Sequence, residues 1–98
     1  MRGFRSSSRG GGCFLFGADV TEKFLVHNNL SLLIRSHEVQ SEGFQRCHND
    51  KCVTVFSAPN YCGNMGNNAA LIRFIEPDNM QLLVVTFKSA AKKPNKKE

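Results

Sequence analysis

The 98-residue chain is poor in several features that mark whole classes of protein. Its longest apolar runs are four residues, such as Leu82 to Val85. A membrane helix needs about 20. No apolar secretory core follows Met1; the chain starts Met-Arg-Gly-Phe-Arg-Ser-Ser-Ser-Arg. The four cysteines, at 13, 47, 52 and 62, form no Cys-x-x-Cys pair, and no histidine pair follows at finger spacing. Cys47 and Cys52 alone approach zinc-ligand spacing, without a second ligand pair. Free thiols in a reducing compartment, cytoplasmic or nuclear, are therefore expected. There is also no cluster of Asp and Glu, so no complete metal or acid/base site can be read from the residues.

What is present is ordinary globular composition, 41% hydrophobic and 21% charged, in one small domain's length. The net charge of +5 lies at the ends. Arg2, Arg5 and Arg9 supply the first part, and Lys92, Lys93, Lys96 and Lys97 the last, so the body is near neutral. Basic ends can attract nucleic acid or an acidic partner, but they also serve as solvated, disordered termini. The near-neutral body argues against a nucleic-acid binder.

The organisation reads as a flexible Arg/Ser/Gly leader over 1–8, a folded body over 9–88 and a basic disordered tail over 89–98. Cys13 to Phe16 reads as a short buried strand or extended segment, punctuated by Gly17. Asp19 opens a helix, with Glu22 as capping-box partner. Val20, Phe24 and His27 share one face with Leu25 beside them, and His27 suits the negative helix end. Asn28-Asn29 is the left-handed stop. Strands follow: Leu30 to Arg35, then Phe44 to Cys47 pairing with Cys52 to Phe56 across Asn49-Asp50, then Ala69 to Ile75 and Met80 to Phe87. Residues 57–68 form a long ordered loop. The class is α+β, with one N-terminal helix followed by about five mostly antiparallel strands. The runs Val53-Thr-Val-Phe56 and Leu82-Leu-Val-Val-Thr-Phe87 hardly alternate, so both of their faces want cover.

Read for chemistry, His37 stands where an apolar strand ends, a usual place for a ligand or catalytic group; a hydrogen-bonded structural histidine is the alternative. Arg35 can bind an anion or pair with Glu38. Tyr61 reads as a packing residue. His27 and His48 have no partner at useful spacing.

Several segments in one register then resemble the PPP family of metal-dependent serine/threonine protein phosphatases. Ser57-Ala-Pro-Asn-Tyr-Cys62 is similar to that family's SAPNYC loop, Arg35-Ser-His-Glu38 to its R-[AS]-H-[EQ] motif, and Glu42-Gly-Phe44 to its E-G-[YF] turn. Val53 to Phe56 resembles the strand leading into that loop. Gly17-Ala-Asp-Val20, with Phe24-Leu25 and Asn28-Asn-Leu30, resembles its preceding helix. The likeness leans toward the type 5 and EF-hand-containing branches through Met65-Gly-Asn67.

The resemblance implies the C-terminal part of a metallophosphatase β-sandwich. It implies hydrolysis of phosphoserine and phosphothreonine by a hydroxide activated between two divalent metal ions of manganese, iron or zinc type. It places His37 on a metal-ligand histidine, Tyr61 on the active-site tyrosine and Arg9 on the phosphate-gripping arginine. Cys62, Gly63, Asn64, Met65, Gly66 and Asn67 fall on the substrate and inhibitor loop, and Cys62 on a position some toxins modify. The implied partners are phosphoprotein substrates and regulatory subunits, with no membrane.

Two departures stand out. Arg9 is eight residues before Gly17, where the family spacing is seven. The family motifs GDxHG, GDxxDRG and GNHE do not occur in these residues, so the isolated chain is expected to be inactive. A non-catalytic module binding phosphatase partners is the alternative expectation.

Overall fold

The computed structural model describes residues 1–76 and 81–89. Their contacts divide into two compact units, one of Met1–His37 with Gln45–Thr54, the other of Glu38–Phe44 with Val55 onward.

The first unit opens with a hairpin. Strand β1 (Phe4–Ser6) pairs antiparallel with β2 (Phe14–Phe16), Arg5 opposite Leu15. The Phe4 and Phe14 rings meet edge to face at 6.4 Å. Within the leader expected to be flexible over 1–8, Phe4–Ser6 is a strand. Strand pairing of Phe4–Ser6 supplies the order that Ser and Gly composition does not suggest. The structure corrects the expected burial of Cys13 to Phe16, since Phe14 is 60% exposed and Leu15 48%.

Helix α1 (Ala18–His27) follows. Its N-cap is Gly17, with no side-chain cap, so the Asp19–Glu22 capping box does not form. Asp19 instead sits in the first turn, where its carboxylate accepts the Gly3 N–H at 3.0 and 3.1 Å and ties the chain start to the helix. That hydrogen bond, with those of the Asp19 and Val20 amides, holds its carboxyl below the usual value. The buried face is Thr21 and Leu25, one turn apart, rather than Val20, Phe24 and His27. The helix ends as Asn28-Asn29 foretells. Asn29 takes φ 57°, its N–H donates to Val26, and the Leu30 N–H donates to Leu25, the two bonds of a Schellman stop.

Strand β3 (Leu33–Arg35) pairs with β5 (Cys52–Val55), which also neighbours β4 (Phe44–Cys47). The hairpin across Asn49-Asp50 is as expected, and β3 pairs with β5 in parallel. Cys52, Val53 and Thr54 are all buried, as a central strand with two covered faces requires.

In the second unit, β6 (Ala69–Glu76) pairs antiparallel with β7 (Gln81–Phe87), Ala69 opposite Phe87. Ala69 and Ala70 are fully buried beside Gly43. Leu71, Phe74, Leu83 and Phe87 stay exposed. The expected turn at 77–79 and the tail beyond Ser89 lie outside the described residues.

Two predictions follow from this packing. A Cβ on Gly43, at φ +86°, would collide with the Ala69 carbonyl carbon and lie 2.7 Å from both the Ala69 oxygen and the Ala70 nitrogen. Left-handed strain of about 1–2 kcal/mol and overpacking of about 1–3 kcal/mol should make Gly43→Ala lower the urea midpoint markedly. Asp19 contributes stability above its ordinary value of 3.8, and that contribution is lost as pH falls through its lowered folded value. Urea midpoints measured from neutral to strongly acid pH should therefore fall less steeply for Asp19→Asn than for the parent.

Candidate active site

The expected site residues fall in both units, and the geometry within each is specific. In the first, Arg9 lies in the loop joining β1 to β2. That loop is closed by Ser7 N–H to the Cys13 carbonyl at 3.0 Å and Gly10 N–H to the Ser7 carbonyl at 3.1 Å. Gly10, Gly11 and Gly12 all have positive φ, between 62 and 81°, so this reversal depends on residues without a Cβ. The Arg9 N–H donates to Ser7 Oγ at 3.2 Å. Its guanidinium reaches across the unit, and Nη2 donates to the His37 backbone carbonyl at 2.6 Å. The extra residue before Gly17 thus does not keep Arg9 from His37.

His37 follows the end of β3 at φ 84°, a rare left-handed conformation for a side chain of this kind, and it is exposed. Two residues before it, Arg35 Nη1 donates to the buried Thr54 Oγ1 at 2.8 Å. This bond adds a side-chain tie between β3 and β5 just ahead of His37. Arg35 is thus engaged within the sheet.

In the second unit, residues 57–68 are ordered by two asparagines that enclose Tyr61. Asn60 takes φ 46°, and Tyr61–Gly63 follows as a single 3-10 turn. Asn67 is 5% exposed and saturates its amide. Its Oδ1 accepts the Tyr61 N–H at 2.8 Å, and its Nδ2 donates to the Ala58 carbonyl at 3.0 Å and the Asn68 carbonyl at 2.9 Å. Its backbone carbonyl accepts the Asn60 N–H at 2.9 Å. In return, Asn60 Oδ1 accepts the Gly66 N–H at 2.9 Å.

The Tyr61 ring stands perpendicular to Phe56 at 5.0 Å and keeps 44% of its surface open. The ring is thus packed on one side and partly exposed. Cys62, Gly63, Asn64, Met65 and Gly66 are exposed, whereas Asn67 is buried as the residue that shapes the loop.

Sequence reasoning passed over Asn60 and the internal role of Asn67. The signal was two asparagines, Asn60 after Pro59 and Asn67 after Gly66, at turn positions of the loop. It also left His48 without a partner. The structure sets His48 Nδ1 2.7 Å from Thr21 Oγ1, across 27 residues, a distance no local spacing reveals.

His37 by itself does not make a metal centre. Among the described residues the one group of three ligand-type side chains is Cys47, His48 and Cys52, and His37 is not in it. The donor set of the described residues therefore does not fit two ions.

These features match a known class of hydrolase. Over 80% of the chain, 59% of residues are identical to serine/threonine-protein phosphatase T of Trypanosoma brucei brucei. Over 95% of the chain, 54% are identical to serine/threonine-protein phosphatase 5 of Arabidopsis thaliana. A solved serine/threonine phosphatase from Saccharomyces cerevisiae, described as similar to human phosphatase PP5, superposes with a TM-score of 0.81 at 36% identity, over 97% of this chain and 32% of that one. No family model matches. The chain belongs, as a segment, to the PPP serine/threonine protein phosphatases. Its relatives also include serine/threonine-protein phosphatase 5 of Homo sapiens, 57% identical over 69% of the chain. It spans 16% and 17% of the length of the first two relatives. The family generally uses divalent metals, and its named members are protein phosphatases.

Replacing Asn67 by Ala leaves the Tyr61 N–H and two carbonyls, all in part-buried bonds, without their partner; each such group that stays out of water costs about 1–3 kcal/mol. Asn67→Ala should lower the urea midpoint, and hydrogen exchange at the Tyr61 amide should speed up, while exchange within β3 and β5 is unchanged.

Proposed function

We propose that this chain forms part of the active centre of a phosphatase acting on phosphoserine and phosphothreonine in proteins. The observation that carries the reading is the Arg9–His37 contact, which joins two expected site residues 28 positions apart. In this reading Arg9 offers its planar fork to two phosphate oxygens. Tyr61 is proposed as the active-site tyrosine on the family resemblance, and His37 as one imidazole of a metal centre completed by residues outside this sequence. Regulatory subunits are proposed as partners of the assembled enzyme.

Because GDxHG, GDxxDRG and GNHE do not occur in these residues, the chain by itself is expected to hydrolyse nothing. Mixing it with a polypeptide of a type 5 relative that carries those motifs should produce manganese-dependent hydrolysis of para-nitrophenyl phosphate. Arg9→Ala should reduce that rate on the order of 10²-fold, the loss expected for a transition-state donor. No activity from the folded mixture, or full activity with Arg9→Ala, would overturn the reading.

The exposed apolar side chains of β6 and β7 support a second reading, a module that binds phosphatase partners without catalysis. Capture of a purified regulatory subunit by the chain, with no activity on complementation, would favour it.

A further inference from the structure

The hairpin of β4 and β5 gathers three side chains for which the phosphatase reading has no use. Cys47, His48 and Cys52 bring their ligand atoms within 4.8 Å of one another. Cys47 is the last residue of β4 and Cys52 the first of β5, so the two thiols face each other where the hairpin closes. All four cysteines are free.

The turn between them is unusual. His48, Asn49 and Asp50 take φ values of 55, 58 and 63°, and the Lys51 N–H donates back to the His48 carbonyl at 3.1 Å. His, Asn and Asp are the side chains that best tolerate this region. The His48 ring is fixed from outside the hairpin. Thr21, 1% exposed on the inner face of α1, sets its hydroxyl 2.7 Å from Nδ1, and Phe16 meets the ring edge to face at 5.5 Å. With Nδ1 engaged by a buried hydroxyl, Nε2 is the ring nitrogen left to bind a ligand. Such an outer hydrogen bond commonly orients a metal-bound histidine.

We infer that Cys47, His48 and Cys52, a group that does not include His37, form a binding site for one soft divalent cation of the zinc class. Two thiolates and an imidazole suit zinc, whose tetrahedral bonds of about 2.3 Å to sulfur set two sulfurs about 3.8 Å apart. The ligand atoms of the three residues lie within 4.8 Å of one another, about 1 Å beyond that separation at most. Three protein donors leave a fourth position for water. Without a cation, burial pushes the Cys52 thiol up to about 11, so binding must release the thiol protons to solvent.

The test is titration of the purified, reduced full chain with cobalt(II), read by its thiolate-to-metal charge-transfer band and the visible bands of tetrahedral cobalt. One equivalent should give both, and zinc should erase them. The bands should survive in the Cys13→Ser/Cys62→Ser double variant. Cys47→Ser, at a half-buried position, should weaken the charge-transfer band, and Thr21→Val should lower affinity by about 10-fold through loss of the ring's outer hydrogen bond. Circular dichroism checks that each variant is folded. Absence of bands from the folded parent overturns the inference, as does an unchanged spectrum in Cys47→Ser or an equal affinity in urea-unfolded chain.

Discussion

Strand β5 is the constraint on which the first unit depends. Cys52, Val53 and Thr54 are buried in succession, so both faces of the strand need cover and both edges need a hydrogen-bonding neighbour. Parallel β3 on one edge and β4 on the other meet the second demand. Burial of Val53 alone is worth about 1.5–3 kcal/mol. Thr54 is tolerated inside because Arg35 donates to its hydroxyl. The same bond lies two residues before His37, so the burial that holds the sheet together also fixes where the expected site histidine leaves it.

Two kinds of positioning serve the two units. Around Arg9 and His37 it is carried by backbone conformations few side chains adopt: three glycines of positive φ in one loop and His37 itself at φ 84°. Around Tyr61 it is carried by buried amides, since Asn67 meets every hydrogen-bonding demand of its side chain inside one loop. A fully satisfied buried amide rigidifies a loop because each alternative conformation strands a polar group. The ligand-facing side chains stay exposed on these supports, as sites built on firm scaffolds commonly do.

The helix illustrates how sequence signals compete. Asp19 and Glu22 have the spacing of a capping box, yet the Gly3 amide captures the Asp19 carboxylate and leaves Gly17 as the cap. A local signal lost to a contact sixteen residues away. On the inner face, Thr21 is buried with its hydroxyl on His48, while the apolar Phe24 is exposed. Polar burial of this sort cannot be seen in hydrophobic periodicity.

The sequence by itself determined the helix stop at Asn28-Asn29, the hairpin across Asn49-Asp50, the ordered loop after Pro59 and the family likeness. Each is written in residues close together, where backbone preference or contiguous motif order is enough. Only the tertiary structure decided that Phe4–Ser6 is a strand, that β3 and β5 run parallel, that Arg9 reaches His37, and that Cys47, His48 and Cys52 converge under Thr21. These depend on which distant strands share an edge, and pairing across such separations is set by the burial of the whole unit rather than by any window of the chain.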